Sequence, residues 1–315
     1  MTRRDFVLSA TAVTALAANL SCGRSVKAGP IPAIDTHTHF YDTSRPQGVP
    51  WPPQDNPLLY RPVFPEAFRA VSTPYNVVGT VVVEASDWVE DNAWILELAK
   101  SNPDIFGFIG NLRPGHPDFA ANLNRFSADP LFLGIRLRGL SPSEMTEAKA
   151  LADIKRVADR DQTIDIHGGA KMLAPISLMA SRLPSLRIVI NHLPFEDWDG
   201  DPAAMRAALA EVAAHPNVYV KVSAVVRQSE GEVVTDPDFY RPGLDVLFDQ
   251  FGPDRLVFGS NWPVSDLIAP YANVHGVVSE YFAAKSRDVA EKYFWRNSHT
   301  AYRWLPRGPA ATLLT

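Results

Sequence analysis

The sequence predicts an α/β chain folded as a single (β/α)8 TIM barrel, and three observations carry that expectation. From residue 29 onward, short apolar strand-like runs alternate with helically spaced segments, eight times over. Strands that alternate with helices pair in parallel through right-handed crossovers, and eight such units close on themselves. The chain has 315 residues, 46% of them hydrophobic, enough to bury one barrel core or two ordinary domains. No low-complexity linker divides it. Finally, unusual polar residues recur at the C-terminal ends of the strand-like runs, the end at which barrels build their sites. One domain is therefore expected over residues 31–308.

The strands are expected at 32–37, 77–85, 105–112, 132–138, 163–167, 186–192, 217–223 and 255–261. Helical spacing of apolar residues places helices at 88–101, 119–126, 143–160, 174–182, 203–215, 243–251 and 274–285. A last packing helix is expected at 289–304, with Tyr293, Phe294, Tyr302 and Trp304 in the core. One connection breaks the rhythm. Seven prolines lie between Pro46 and Pro65, interleaved with Trp51, Leu58, Leu59 and Tyr60. A long loop that keeps apolar anchors and leaves the C-terminal end of a barrel strand lies over the mouth. It reads either as a lid or substrate wall, or as an interface loop of a homo-oligomer.

Residues 1–28 read as a twin-arginine export signal rather than as part of the fold. Arg3-Arg4 precedes an apolar stretch over 7–20 that is too short to span a bilayer, followed by Ser21-Cys22-Gly23. The mature chain is expected to be periplasmic or secreted, without an integral membrane span. Cleavage after the alanine-rich stretch or near Ala28 ranks above lipid anchoring at Cys22, because Asn19 departs from the lipoprotein pattern. Cys22 is the only cysteine, so the mature chain forms no internal disulfide. A net charge of −5, with no basic run beyond the N-terminus, argues against a nucleic-acid partner and for a small-molecule ligand.

Candidate site residues follow from strand alternation. On the first strand His37 and His39 share a face, with Asp35 below them, a geometry suited to two neutral nitrogens converging on a metal ion or a carbonyl. Glu84 ends a run of valines. Leu133, Ile135 and Leu137 are expected to face the helices, which turns Arg136 and Arg138 inward. Ile164 and Ile166 likewise turn Asp165 and His167 inward. The sixth strand ends at Asn191-His192, with Ile188 and Ile190 leading His192 inward, Lys221 and Ser223 face inward on the seventh, and the eighth ends in Gly259-Ser260-Asn261-Trp262. Burying so many ionisable groups costs on the order of several kcal/mol unless they serve one another or a ligand. His116, His215, His275 and His299 fall in helices or loops and read as structural.

These motifs resemble the amidohydrolase superfamily (amidohydrolase family 2), and within it the branch of sugar-acid lactonases and dicarboxylate lactone hydrolases. The resemblance rests on Asp35-Thr36-His37-Thr38-His39, Val82-Val83-Glu84-Ala85, Gly134-Ile135-Arg136, Asn191-His192 and Phe258-Gly259-Ser260-Asn261-Trp262-Pro263-Val264. It implies a hydrolase that opens a small sugar-acid or carboxylated lactone by water attack on its carbonyl. It implies a catalytic set of His37, His39, His167, His192 and Asn261, and a substrate-binding set of Arg136, Arg138, Glu84, Lys221 and Trp262. One divalent metal ion, zinc foremost, is implied on His37, His39 and His192, weakly held or dispensable. Two carboxylates of the family pattern are replaced, by Asn261 and Asn191, and an amide cannot serve as a general base. Water activation then falls to metal ligation, to His167 or His192, or to a loop carboxylate such as Asp266. The alternatives are a metal-dependent decarboxylase of the same superfamily and a non-catalytic sugar-acid binding relative.

Overall fold

The computed structural model describes residues 29–195 and 200–312, and the expected export signal lies outside them. From Ile31 on, the chain forms one compact unit. Its strands are β1 (Ala33–Thr38), β2 (Val77–Val83), β3 (Ile105–Gly110), β4 (Phe132–Leu137), β5 (Thr163–Ile166), β6 (Arg187–Asn191), β7 (Val218–Val222), a short hairpin of β8 (Gln228–Ser229) and β9 (Glu232–Val233), and β10 (Leu256–Phe258). The eight long strands pair in parallel in the order β1 to β7 and then β10. A parallel bridge between Thr38 and Trp262 brings β10 back to β1. There the His39 N–H donates to the Trp262 carbonyl and the Asn261 N–H to the His37 carbonyl, both at 2.9 Å. This is the expected barrel.

Helices cover the outer face where the sequence places start signals. Pro202 follows Asp201, whose carboxylate accepts the Ala203 N–H, and Pro237 follows Asp236, whose carboxylate accepts the Asp238 N–H. The helix expected over 143–160 is broken at Glu147 into Pro142–Thr146 and Ala148–Ala158, because Glu147 takes an extended conformation between them. The helix Pro65–Ser72 and the β8–β9 hairpin were not expected from the sequence, although the helix opens with Pro65 and Glu66.

Alternation sorts the strands into two apolar layers. Val82, Ile135, Ile164, Ile188, Val220 and Phe258 face the helices. Ile34, Val81, Phe106, Leu133, Val189, Tyr219 and Val257 fill the barrel with Tyr302 and Trp304. Two bulges change the expected parity. Leu133 lies inside rather than outside, since the β3–β4 register slips between Phe108 and Ile109 and β4 carries an extra residue there. Gly134 permits this approach, because a Cβ on it would stand 1.9 Å from the Thr163 carbonyl oxygen. After the bulge Arg136 still faces inward, as expected. The second bulge lies in β1 between Asp35 and Thr38. It leaves His37 and His39 inside but turns Asp35 away, where its carboxylate accepts the N–H groups of His37 (3.1 Å) and Ser260 (2.9 Å) and the Tyr271 hydroxyl (3.0 Å). Asp35 thus pins the β1–β10 seam instead of supporting the imidazoles directly.

The N-terminal end of the barrel is plugged by the C-terminal segment. Ala301 accepts from Thr163 and Arg187 side chains, and Trp304 packs on Phe106 with ring centres 5.2 Å apart. Tyr293, Phe294, Tyr302 and Trp304 are all buried, as their spacing suggests.

Candidate active site

At the opposite, C-terminal mouth a cavity of about 610 Å³ is bordered by His39, His167 and His192, by Glu84, Arg136 and Arg138, and by Asn191 and Asn261. The histidines meet. Ring centres lie 5.0 Å apart for His37–His39, 4.7 Å for His37–His192 and 5.2 Å for His167–His192. His37 sits beneath the other rings, wholly buried, and neither of its nitrogens has a hydrogen-bond partner. A Cβ on Gly259 would meet the His37 Cβ at 2.9 Å and the Lys221 chain at 3.1 Å, so glycine is what leaves room for both.

Backbone strain helps to aim these groups. His192 (φ 67°), Ala224 (φ 52°) and Asn261 (φ 64°) are left-handed although none is glycine, and they follow β6, β7 and β10. Such residues each cost on the order of 1–3 kcal/mol and persist where their surroundings hold them. Ile188 and Ile190 face the helices and do not lead His192 inward as expected, so simple alternation would send His192 outward with them. Its positive φ ends the alternation, and Asn191 and His192 both border the cavity.

Hydrogen bonds define the imidazole states. His39 Nδ1 lies 3.0 Å from the Val83 carbonyl, so Nδ1 carries the proton and Nε2 a lone pair. That Nε2 stands 3.4 Å from Asn261 Oδ1, an acceptor facing an acceptor. Turning the amide over puts its NH2 on Nε2 and removes the conflict. His192 Nδ1 is 2.9 Å from the Ser223 hydroxyl. Burial, aided by Lys221 at His37 and by Arg136 at His192, holds both well below the usual histidine range. Burial and Arg136 lower His39 to about 3. All three are neutral near pH 7.

Glu84 behaves differently. Burial raises it from 4.5 to about 7, against the opposing pull of Arg136 and Arg138. Arg138 Nε lies 2.8 Å and Arg136 Nη1 3.5 Å from Glu84 Oε1. The Arg138 contact lacks hydrogen-bond alignment, so Glu84 is ion-paired but still unsatisfied. Among the described residues bordering the cavity it is the only carboxylate.

Three expectations require correction. Lys221 does not reach the cavity: it is completely buried beneath the histidines, where its ammonium donates to Asp165 at 2.6 Å, and Tyr302 donates to the other oxygen at 2.8 Å. Trp262 points the other way from Asn261, into the outer core, with its ring against Phe68 (5.5 Å) and Phe40 (6.4 Å). Asp266 does not border the cavity and stands 3.9 Å from Arg61. Lys171 borders the cavity without having been marked in the sequence, and Trp51 takes the wall position expected of its loop. Lys171 arrives through the turn that follows His167-Gly168-Gly169, and a lone exposed lysine carries no pattern. Trp51 comes from the proline-rich loop, its ring 5.9 Å from His39 and 5.3 Å from Tyr41, which makes that loop a wall of the cavity.

Among the described residues no three His, Cys, Asp or Glu side chains stand ready to chelate an ion. The donor chemistry nonetheless suits one: three neutral imidazoles in contact, with both nitrogens of buried His37 unpaired. Arg136 and the absence of a carboxylate among these donors would make the hold weak.

The chain is 31% identical over 246 residues to L-fucono-1,5-lactonase of Burkholderia ambifaria, covering 76% of this chain and 83% of the relative. It is 26% identical to L-fucono-1,5-lactonase of Burkholderia multivorans over 89% and 98% of the two chains. A crystal structure of an amidohydrolase from Burkholderia multivorans with bound zinc superposes with a TM-score of 0.78 at 24% identity, over 87% of this chain and 99% of that one, which shows the shared fold. A family model described as amidohydrolase matches residues 34–304, from the first barrel strand to the C-terminal plug, and the chain belongs to that family.

Proposed function

We propose that the cavity hydrolyses the lactone of a small sugar acid. The likeness to two L-fucono-1,5-lactonases supports this class of substrate. The observation that carries the reading is the pairing of neutral, partly unsatisfied imidazoles with one buried carboxylate between two guanidinium groups. Such a site can polarise an ester carbonyl, bind hydroxyl or carboxylate groups, and move one proton.

The water adds its oxygen to the lactone carbonyl carbon and gives its proton to Glu84, the carboxylate that replaces the absent acid at Asn261. A base matched to the operating pH is efficient, and Glu84 near 7 is matched where His39 near 3 is not. The oxyanion is met by the Asn261 amide and, where no ion is held by the imidazoles, by the N–H of His192. When the tetrahedral state collapses, the ring C–O bond breaks and Glu84 returns the proton to the departing alkoxide. Arg136 and Arg138 hold substrate oxygens through their forked donors. A divalent ion, zinc foremost, would be held by His37, His39 and His192 and would supply Lewis-acid polarisation of the carbonyl.

Arg3-Arg4 and the short apolar stretch after them support export by the twin-arginine route to the periplasm or beyond. The test of function is a panel of aldono-1,4- and 1,5-lactones read by proton release, with δ-valerolactone as the unhydroxylated control. Turnover of hydroxylated lactones that is lost in His192→Ala is expected. A panel with no turnover above the buffer rate would remove the reading.

A further inference from the structure

A second cavity, about 980 Å³, opens beside the catalytic one over the ends of β3 and β4. Arg136, Arg138 and His167 border both. Of these three shared side chains Arg138 is held from both sides, tied to Glu84 on the catalytic side and to Asp87 on the far side. Beyond it the walls carry the hydrogen-bonding groups Asn111, Arg113 and Asn122 and the carboxylates of Asp87, Glu90 and Asp118, with Leu140 as the half-buried apolar face and Leu112 and Phe119 nearly buried beneath. Asn111 is held in place, donating to the Ser86 carbonyl at 3.0 Å while its own N–H is taken by Asn92 at 2.8 Å. The Asn122 amide makes no hydrogen bond within the described residues and is open to a ligand. Amides and guanidinium groups read hydroxyls, and apolar faces cover the C–H face of a pyranose.

We propose that this second cavity is a subsite for a further sugar, so that the substrate is the lactone of a glycosylated aldonic acid, its lactone ring at the histidines and its second ring across Arg138 between Asn111 and Asn122. The proposal rests on the lactonase reading and deepens it. A cavity of roughly 300–1,000 Å³ holds a drug-sized ligand, so a single six-carbon lactone fits the catalytic cavity and leaves the neighbouring one unused. Only the lactone C–O bond is opened; the glycosidic bond is untouched.

The experiment compares kcat/KM for lactobiono-1,5-lactone and glucono-1,5-lactone in the wild type and in Ala121→Trp. Ala121 is exposed on the helix Phe119–Phe126 at the edge of the second cavity, and an indole there would fill it. Wild type should prefer the disaccharide lactone by roughly tenfold or more. Ala121→Trp should erase the preference while the gluconolactone rate stays unchanged, which also shows that the variant folds. Asn122→Leu should lower the preference without blocking the space. A wild type that handles both lactones equally, or a preference that survives Ala121→Trp, overturns the subsite. If neither lactone is opened, the lactonase reading fails, and calorimetry with lactobionate and gluconate decides the subsite by itself: tighter lactobionate binding lost in Ala121→Trp upholds it, and equal or absent binding overturns it.

Discussion

The two ends of the barrel both bury charge, and they treat it in opposite ways. At the plugged end Lys221, Asp165 and Tyr302 are wholly buried, yet the ammonium and both carboxylate oxygens have partners at 2.6 to 2.8 Å. At the open end His37, Glu84 and Asn191 are as deeply buried and keep side-chain atoms with no hydrogen-bond partner. The left-handed residues His192, Ala224 and Asn261 also gather there. An unsatisfied buried polar group costs about 1–3 kcal/mol, a cost the plugged end avoids. A fold that completes its polar network at one end and leaves it open at the other has spent stability where a ligand is to supply the missing partners.

Removing charge from each end should therefore damage different properties. At the open end Glu84→Gln keeps the shape and loses the proton acceptor. The expected result is a drop in kcat of about 10²- to 10⁴-fold with the melting temperature held or raised, because a buried unsatisfied carboxylate is gone. A melting temperature that falls as steeply as the rate would make Glu84 structural. At the plugged end Lys221→Met should cost about 3–5 kcal/mol, since it strands the Asp165 charge, read by urea unfolding; the double variant with Asp165→Leu should recover much of that loss.

The pH dependence sharpens the contrast. Glu84 is raised from 4.5 to about 7 by burial, so it folds more readily protonated. Its contribution to stability is complete below pH 4.5 and is lost as pH rises through about 7. Activity runs the other way, since the base must be ionised: kcat should climb through about pH 7. Rate and stability crossing in the same window would identify one group behind both, and a rate already flat by pH 5 would exclude Glu84 as the base. A smaller effect belongs to Arg136, 3.5 Å from Glu84. Arg136→Lys keeps the charge and loses the fork, and should raise KM for carboxylated lactones by roughly tenfold more than for neutral ones. Equal losses across both classes would leave it a structural cation.

Most of the barrel was legible because alternation of strand and helix is a long-range pattern that single exceptions do not erase. The errors arose where one residue changed parity. The bulges at Leu133 and after Asp35 each flip which side chains face inward, and the positive φ of His192 brings in a ring that alternation from Ile188 and Ile190 would send out. His37 and His39 were readable because two imidazoles at spacing two survive a bulge placed before both. Lys221 was misassigned for a different reason: facing inward is legible, but depth is not, and the same face serves the floor and the plug. Asn261 and Trp262 are neighbours on opposite sides of one strand end, so a motif that contains both does not show which of them faces the site.

The smallest effect tests what completes the open end. Asn261 presents an amide to His39 at 3.4 Å, next to the unpaired nitrogens of His37. If a cation is the missing partner of these imidazoles, Asn261→Asp adds an anionic ligand beside them and should tighten divalent-metal binding on the order of 10-fold, measured by chelator competition at one pH. If the missing partner is the substrate instead, the added carboxylate pairs with Arg136 or raises the basicity of His39, and metal affinity stays where it was while the pH profile of kcat moves. Activity alone would not separate these outcomes, because an extra base helps only when the water still fits. Affinity does separate them. A tenfold gain assigns the orphaned nitrogens to a metal, and an unchanged affinity with a shifted profile assigns them to the lactone.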